Sequence, residues 1–290
     1  MSKAIKKSTV VLAGHTGFVG KNLLEKLRIN DAFNLVLLSR SDGFDLADAS
    51  SLKDIHCDTI INLAGNVSIE DGWSDPHSTF KDNYLITLNL LELARVNKAN
   101  FIHISSYIYG TPEYQPVDEN HSISGYNPYA SSKLISDILC SDYGKYFNFP
   151  VTILRLFNLY GIGQKTSFLI AGLLDTIISN KPLDIKDLHA RRDYLWIDDL
   201  VLAIEEVLYN QEKGVNVFNI GSGVSSSALE VIETIEKCTN QKVRFSQNNP
   251  EKILVQDCRC DNRLFSDKYN WKPRTSLAQG IKNISRYMGI

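Results

Sequence analysis

Short apolar segments alternate with helical segments through the first half of this 290-residue chain, and this alternation restricts the fold more than any other feature. Short apolar runs predict strands, whereas apolar residues that recur every three or four positions predict helices. The predicted strands cover residues 8–13, 35–39, 59–64, 101–104 and 151–156, and the predicted helices cover 20–29, 84–97 and 129–147. Strands and helices in alternation require right-handed crossovers between parallel strands. The sequence therefore predicts an α/β fold with a doubly wound parallel sheet.

The segment 84–97 carries a strong helical pattern. Its leucines recur at intervals of three, and residues at that spacing lie on one face of a helix. The residues predicted to face the core are Leu85, Leu88, Leu91 and Val96.

A glycine-rich segment, Gly14–Gly20, lies between the first predicted strand and the first predicted helix. Its three glycines have the spacing GxxGxxG, which allows a tight turn and a close approach of the backbone to a pyrophosphate. The N-terminus of the following helix supplies free N–H groups and positive dipole character. A purely structural turn is the alternative, but the position between strand and helix favours a Rossmann domain. The predicted cofactor contacts are Gly14, Thr16, Gly17, Phe18, Val19 and Gly20.

The end of the second strand bears on which dinucleotide is bound. A cofactor without a 2′-phosphate usually meets an acidic residue there, which accepts hydrogen bonds from the ribose hydroxyls. This strand ends in Ser39 and Arg40 instead, and a guanidinium suits a 2′-phosphate. We therefore favour NADP over NAD, with a solvated surface arginine as the alternative interpretation. Asp45 and Leu46 are predicted to flank the adenine, although an ordinary polar loop explains this acid equally well.

Tyr129 and Lys133 stand four residues apart in a predicted helix and therefore share one helix face. A lysine ammonium placed there lowers the pKa of the phenol and also binds hydroxyls of the nicotinamide ribose. The phenol then exchanges a proton with a substrate hydroxyl or carbonyl as hydride moves. Because Ser105 and Ser106 end a preceding predicted strand, the four side chains together predict an oxidoreductase site.

With these motifs the chain resembles the extended short-chain dehydrogenases/reductases that act on nucleotide sugars as epimerases, dehydratases or reductases. The matching segments occur in the family's order and span nearly the whole chain. They are 14–20, 62–65, 83–92, 103–110, 129–133, 155–161, 192–194, 218–221 and 270–273. Members of this family often dimerise through helices like 84–97 and 129–147. The resemblance therefore implies a homodimer that binds a nucleotide-diphosphate sugar.

The alternation of strands and helices becomes irregular after Gly161. Patterns for helices at 168–179 and 229–238 and for strands at 215–220 and 242–245 remain. We predict a dinucleotide-binding Rossmann domain formed by 1–160 plus about 191–221. A smaller, irregular α/β C-terminal domain, about 161–190 plus 222–290, is predicted to bind the substrate.

The resemblance assigns roles to the oxidoreductase residues. Tyr129 is the expected proton donor or acceptor, and Lys133 is its partner. One serine of the adjacent pair is expected to hydrogen-bond the reacting sugar oxygen. Counting four positions back from the tyrosine of the Tyr109-Gly110 pair selects Ser105. Matching the end of the strand selects Ser106, because this chain is one residue shorter between these two landmarks. We favour Ser106 as the catalytic and substrate-binding serine and place Ser105 against the cofactor.

Other matches supply binding positions. The segment expected to pass under the cofactor is Leu63, Ala64 and Gly65. Asn158 and Arg192 match positions that contact the substrate diphosphate, and a guanidinium suits that anion. Asn83 matches a position that supports the active-site helix, although an ordinary helix-start cap is the alternative.

Three chemistries share this scaffold. Related 4,6-dehydratases carry an acidic residue directly after the catalytic serine or threonine, whereas Tyr107 and Ile108 follow Ser106 here, so dehydration is disfavoured. Reductases release the oxidised cofactor each cycle and commonly use NADPH, which agrees with Ser39 and Arg40. We therefore predict NADPH-dependent reduction of a nucleotide-activated 4-keto-6-deoxy sugar at C4, within polysaccharide biosynthesis. NAD-dependent 4-epimerisation of a nucleotide sugar is the alternative.

Two further classes fit the sequence less well. A non-catalytic NADP sensor would be expected to have lost the tyrosine or the lysine, and both Tyr129 and Lys133 are present. An enzyme acting on an apolar alcohol would not need Arg192.

Composition argues against other classes. The net charge is −2 and the pI is near 6.3, so no basic excess exists to neutralise nucleic-acid phosphates. The apolar runs fall far short of the roughly 20 residues of a membrane-spanning helix. Five scattered cysteines and the lack of an export signal predict a reduced, cytoplasmic protein. The six histidines have no metal-ligand spacing, so no metal is expected.

Overall fold

The computed structural model describes residues 7–248 and 255–290. The strands are β1 (Ser8–Ala13), β2 (Phe33–Leu38), β3 (Thr59–Asn62), β4 (Asn100–Ser106), β5 (Val151–Leu156), β6 (Asn158–Tyr160), β7 (Leu183–Asp184), β8 (Arg191–Trp196), β9 (Val215–Ile220), β10 (Ser225–Ser227), β11 (Phe245–Ser246) and β12 (Asp257–Cys258). The helices are α1 (Phe18–Asn30), α2 (Ile69–Ser74), α3 (Pro76–Phe80), α4 (Ile86–Asn97), α5 (Pro128–Phe147), α6 (Leu169–Ser179), α7 (Ile197–Tyr209), α8 (Ala228–Thr239), α9 (Arg263–Tyr269) and α10 (Leu277–Met288). A π-helical turn, Lys81–Leu85, precedes α4.

The chain divides into two compact units. The first comprises Met1–Gly110, Ser122–Arg155 and Ile204–Phe218, and the second comprises Thr111–His121, Leu156–Ala203 and Asn219–Ile290. The separate functions assigned above to a dinucleotide-binding and a substrate-binding domain stay a prediction.

The first unit is built on a six-stranded sheet with the order β2-β1-β3-β4-β5-β9. β1 pairs in parallel with β2 and β3, and β3 pairs in parallel with β4. Every residue of β3 and β5 is buried, because both faces of a parallel sheet are covered by its crossovers. The predicted doubly wound α/β fold is confirmed.

One face of α4 differs from the prediction. Its buried apolar residues are Ile86, Leu90, Leu91, Leu93 and Ala94. Leu85 and Leu88 are only half-buried, and Val96 is 69% exposed. Because a π-helical turn contains more residues than an α-helical turn, Leu85 and the residues of α4 do not share one 3.6-residue period.

The second unit contains a sheet with the order β10-β8-β12, to which β6 adds by pairing with β8. A separate pair joins β11 to β7. The strand predicted at 242–245 is therefore wrong for all but its last residue. The Val243 N–H binds Glu236 Oε1 and the Arg244 N–H binds Thr176 Oγ1, so side chains satisfy donors that a ladder would have used.

No helix among the residues described has the length and apolar character needed to cross a membrane.

Candidate active site

The carboxyl ends of four parallel strands bring the predicted residues of the first unit to one edge of its sheet. Gly14 follows β1, Ser39 follows β2, Leu63 follows β3, and Ser106 ends β4. Ligands of open α/β sheets bind at this edge. The glycine-rich loop and the Ser-Tyr-Lys residues therefore belong to the same end of the fold.

The glycine-rich loop is shaped as a backbone cradle. Gly14 has a φ of +84°, and a Cβ there would lie 2.7 Å from the backbone nitrogen of Ala64. A Cβ at Gly20 would collide with the Gly14 carbonyl oxygen. α1 starts after Gly17 with no side-chain cap and no acidic residue in its first turn. Free N–H groups at a helix N-terminus suit a pyrophosphate, so the cradle fits a dinucleotide.

Two acidic residues that the sequence did not predict to be involved partner the residues after β2. Arg40 Nη2 lies 2.9 Å from Asp82 Oδ1, and Ser39 Oγ lies 2.5 Å from Asp42 Oδ2. Asp42 is only three residues from Ser39, so the sequence alone could have indicated their contact. Asp82 lies 42 residues from Arg40 and carries no comparable signal.

Asp45 and Leu46, both predicted to flank the adenine, lie in different environments. Asp45 is exposed, and its Oδ1 accepts a hydrogen bond from the Ala47 N–H at 3.1 Å. The Leu46 side chain is buried in the hydrophobic core of the first unit. A contact of either residue with adenine stays a prediction.

The start of α5 places the tyrosine and the lysine. Asn127 caps the helix because its Oδ1 accepts the Ala130 N–H at 2.7 Å, and Pro128 occupies the first helical position. Tyr129 therefore stands in the first turn, and Lys133 follows one turn later on the same face.

The structure separates the two candidate serines. Ser106 lies close enough to Tyr129 to lower the pKa of that phenol, although the larger effect is burial, which raises that pKa to about 12. Ser105 lies close enough to Asp137 to lower the pKa of that carboxyl, but its hydroxyl makes no hydrogen bond of ordinary geometry. Ser106 is thus the serine beside the tyrosine, whereas Ser105 lies beside Asp137.

Lys133 is buried beneath the end of β4. Its Nζ donates a hydrogen bond to the Ile104 carbonyl oxygen at 2.6 Å. Burial lowers the pKa of Lys133 to about 8, while the charge of Asp137 acts in the opposite direction. At neutral pH the ammonium is therefore still mostly protonated and available to a phenolate.

A buried ion pair, which the sequence analysis missed, lies one further turn along α5. Asp137 Oδ2 accepts a hydrogen bond from Arg155 Nε at 2.9 Å, and Arg155 Nη1 donates to the Tyr109 hydroxyl at 3.0 Å. Burial raises the pKa of Asp137, and the Arg155 charge opposes that shift. The spacing of Lys133 and Asp137 was the only sequence signal for this cluster.

His103 borders the same pair from β4. Burial, and secondarily the Lys133 charge, hold the pKa of His103 well below its usual value, so the imidazole is neutral. The Asn62 side-chain amide lies 3.2 Å from Nδ1, which favours the tautomer with the proton on Nε2. That Nε2 lies 3.9 Å from Asp137 Oδ1.

Asn83 lies in the π-helical turn before α4 and contacts α5. Its Nδ2 donates to Ser132 Oγ at 2.8 Å, and its Oδ1 accepts the Asn66 N–H at 2.8 Å. Because Ser132 stands between Tyr129 and Lys133, these contacts favour support of the helix over a simple cap.

In the second unit, the predicted diphosphate-binding residues stand on adjoining strands. Asn158 of β6 is in register with Tyr194 of β8, and Arg192 shares a strand face with Tyr194. Arg192 Nη1 donates to the Arg191 and Val255 carbonyl oxygens at 2.7 and 2.9 Å. Binding of a diphosphate by this pair stays a prediction.

Comparison with known proteins decides the family. A sequence model described as the NAD dependent epimerase/dehydratase family matches residues 10–221. The chain belongs to this family. Family membership confirms the resemblance described above and the prediction that the chain is an NAD(P)-dependent enzyme.

Members of the family with different reactions resemble the chain over nearly its whole length. GDP-6-deoxy-D-mannose reductase of Pseudomonas aeruginosa is 31% identical, covering 94% of each chain. The structure of RMD from Pseudomonas aeruginosa with NADPH has a TM-score of 0.88 at 30% identity, covering 96% of this chain and 97% of its own. UDP-glucuronic acid 4-epimerase from Bacillus cereus, with UDP-glucuronic acid and NAD, has a TM-score of 0.88 at 25% identity, covering 97% and 99%.

Proposed function

We propose that this chain catalyses the NADPH-dependent reduction of a nucleotide-activated 4-keto-6-deoxy sugar at C4. The placement of Ser106 beside Tyr129, next to the buried Lys133, carries the proposal because it joins an oxygen-binding group to a proton donor. Tyr107 and Ile108 follow Ser106, so no carboxylic acid stands there to eliminate water. The similarity to a GDP-6-deoxy-D-mannose reductase supports the choice of reduction.

The residues divide the work of this reaction between them. Gly14–Gly20 would hold the cofactor pyrophosphate, and when bound the reduced nicotinamide supplies hydride to C4. Tyr129 donates its phenolic proton to the C4 oxygen while Ser106 holds that oxygen by a hydrogen bond. Lys133 stabilises the resulting phenolate by its positive charge. Arg192 would bind the substrate diphosphate.

NAD-dependent 4-epimerisation is the second candidate. The observation that favours it is the pairing of Arg40 with Asp82 at 2.9 Å, because a neutralised guanidinium attracts a 2′-phosphate less strongly. The similar 4-epimerase structure holds NAD. An epimerase retains its cofactor, whereas a reductase exchanges it in every cycle, and this difference separates the two candidates.

The first experiment measures nucleotide released from the purified, heat-denatured protein and then supplies 4-keto-6-deoxy sugars carrying guanosine, uridine or thymidine diphosphate. We expect little released nucleotide, oxidation of NADPH, and a 6-deoxy sugar reduced at C4. Release of one equivalent of NAD, together with exchange of C4 epimers without net oxidation of cofactor, would establish the epimerase instead.

We infer that two copies of the chain associate through α5. Ile135 and Ile138 are 37% and 51% exposed on this helix, and neighbouring exposed apolar side chains mark interaction surfaces. Light scattering after size-exclusion chromatography should give twice 32.6 kDa. Ile138→Arg should give a monomer, whereas Ile178→Arg, on α6 with 56% exposure, should not. A monomeric parent protein contradicts this inference.

A further inference from the structure

The turn after β2 returns an acidic side chain to the end of that strand. Residues Arg40–Asp42 form a single 3₁₀ turn that begins after Ser39. The Asp42 N–H binds the Ser39 carbonyl oxygen at 3.0 Å, and Ser39 Oγ donates to Asp42 Oδ2 at 2.5 Å. No acidic residue stands at the end of β2 in the sequence, but the turn places the Asp42 carboxylate beside that strand end.

The glycine-rich loop lies against the same carboxylate. His15, between the first two glycines of the loop, is buried, and its Nδ1 lies 3.6 Å from Asp42 Oδ2 without a hydrogen bond. Asp42 thus stands between the carboxyl ends of β1 and β2, next to the pyrophosphate cradle. In a dinucleotide-binding domain this is where the adenosine ribose lies.

Asp42 retains capacity to bind a ligand. Its side chain is 35% exposed, and no donor within residues 7–248 and 255–290 binds its Oδ1. A carboxylate oxygen is an acceptor only. Asp42 can therefore accept from a ribose hydroxyl, but it repels a phosphate.

The guanidinium beside this carboxylate is already paired. Arg40 Nη2 lies 2.9 Å from Asp82 Oδ1, with the Arg40 side chain 71% exposed and that of Asp82 22% exposed. The side chains of Asp42, Asp82 and Arg40 together carry one net negative charge. A 2′-phosphate competes with Asp82 for Arg40 and is repelled by Asp42, whereas a 2′-hydroxyl needs no cation and can donate a hydrogen bond to Asp42.

The geometry points to Asp42 and Asp82 as the residues that set cofactor preference, so that this chain binds NADH as well as NADPH. Asp42 accepts a hydrogen bond from the 2′-hydroxyl of NADH. Asp82 holds Arg40 until a 2′-phosphate replaces it. This inference rests on the cofactor site proposed above and does not depend on which sugar is reduced.

Binding of NADH and NADPH to the full-length protein without sugar tests the inference, with titration calorimetry or cofactor fluorescence as the readout. We expect the two dissociation constants of the parent to differ by no more than about tenfold. Asp42→Asn should weaken NADH about tenfold, because a hydrogen bond to a charged acceptor is lost, and should tighten NADPH. Asp82→Asn should tighten NADPH about fivefold and leave NADH unchanged.

Asp48→Asn is the matched control, since Asp48 is another exposed aspartate after β2 that caps a separate turn. It should leave both dissociation constants unchanged. Equal changes for NADH and NADPH in both site variants, or a parent preference for NADPH of more than about a hundredfold, would overturn the inference. If the binding pattern holds while no keto sugar is reduced, the inference stands and the proposed reaction fails.

Discussion

Tyr129→Phe should lower the turnover number by about 10²–10⁴-fold and leave the dissociation constant of NADPH near that of the parent. Phenylalanine keeps the ring and its packing but removes the hydroxyl that lies beside Ser106. The variant thus loses the proposed proton donor. Initial rates with the keto sugar and a separate cofactor titration measure the two effects.

Tyr146→Phe is the control for this variant. Tyr146 lies near the end of the same helix and is 77% exposed, so loss of its hydroxyl should change neither rate nor binding. Full turnover by Tyr129→Phe would remove Tyr129 from the mechanism. A parallel loss of NADPH binding would show that the substitution disturbs the site as a whole.

Asp137→Asn should lower the free energy of unfolding by about 3–5 kcal/mol. The substitution keeps the size of the side chain but leaves the buried Arg155 guanidinium without its counter-charge at 2.9 Å. The free-energy penalty of a buried, unpaired charge exceeds the net stabilisation that the ion pair contributed. Chemical denaturation of the purified variant measures the loss.

Two further variants control this experiment. Asp142→Asn, on the same helix and outside the ion pair, should change stability little. The double variant Asp137→Asn/Arg155→Met removes both charges and should recover part of the loss, because no unpaired charge remains. Equal stability of the parent and the single variant would contradict the structural role given to this pair.

Some features were predictable because local sequence determines them. The spacing of Gly14, Gly17 and Gly20 allows the backbone to approach a pyrophosphate closely. The spacing of Tyr129 and Lys133 places both side chains on one face of a helix. The strand–helix alternation likewise determines the parallel sheet. Such patterns need no knowledge of what packs against them.

Other features depend on contacts between distant segments. Arg155 reaches Asp137 across 18 residues, and Arg40 reaches Asp82 across 42, so neither ion pair has a local pattern. The choice between Ser105 and Ser106 for contact with Tyr129 also depends on tertiary placement. The exposure of Val96 was likewise not predictable, because apolar character alone does not determine which helix face meets the sheet.

The order of strands in the central sheet has a consequence for synthesis on the ribosome. β9 pairs beside β5, but residues 157–214 separate the two strands in the chain. At about 5–20 residues per second, β5 remains an unpaired edge for several seconds after it emerges. An exposed edge strand invites pairing with other chains. Nascent chains are therefore expected to need chaperone protection during this interval, and truncation before residue 215 would make the exposed edge permanent.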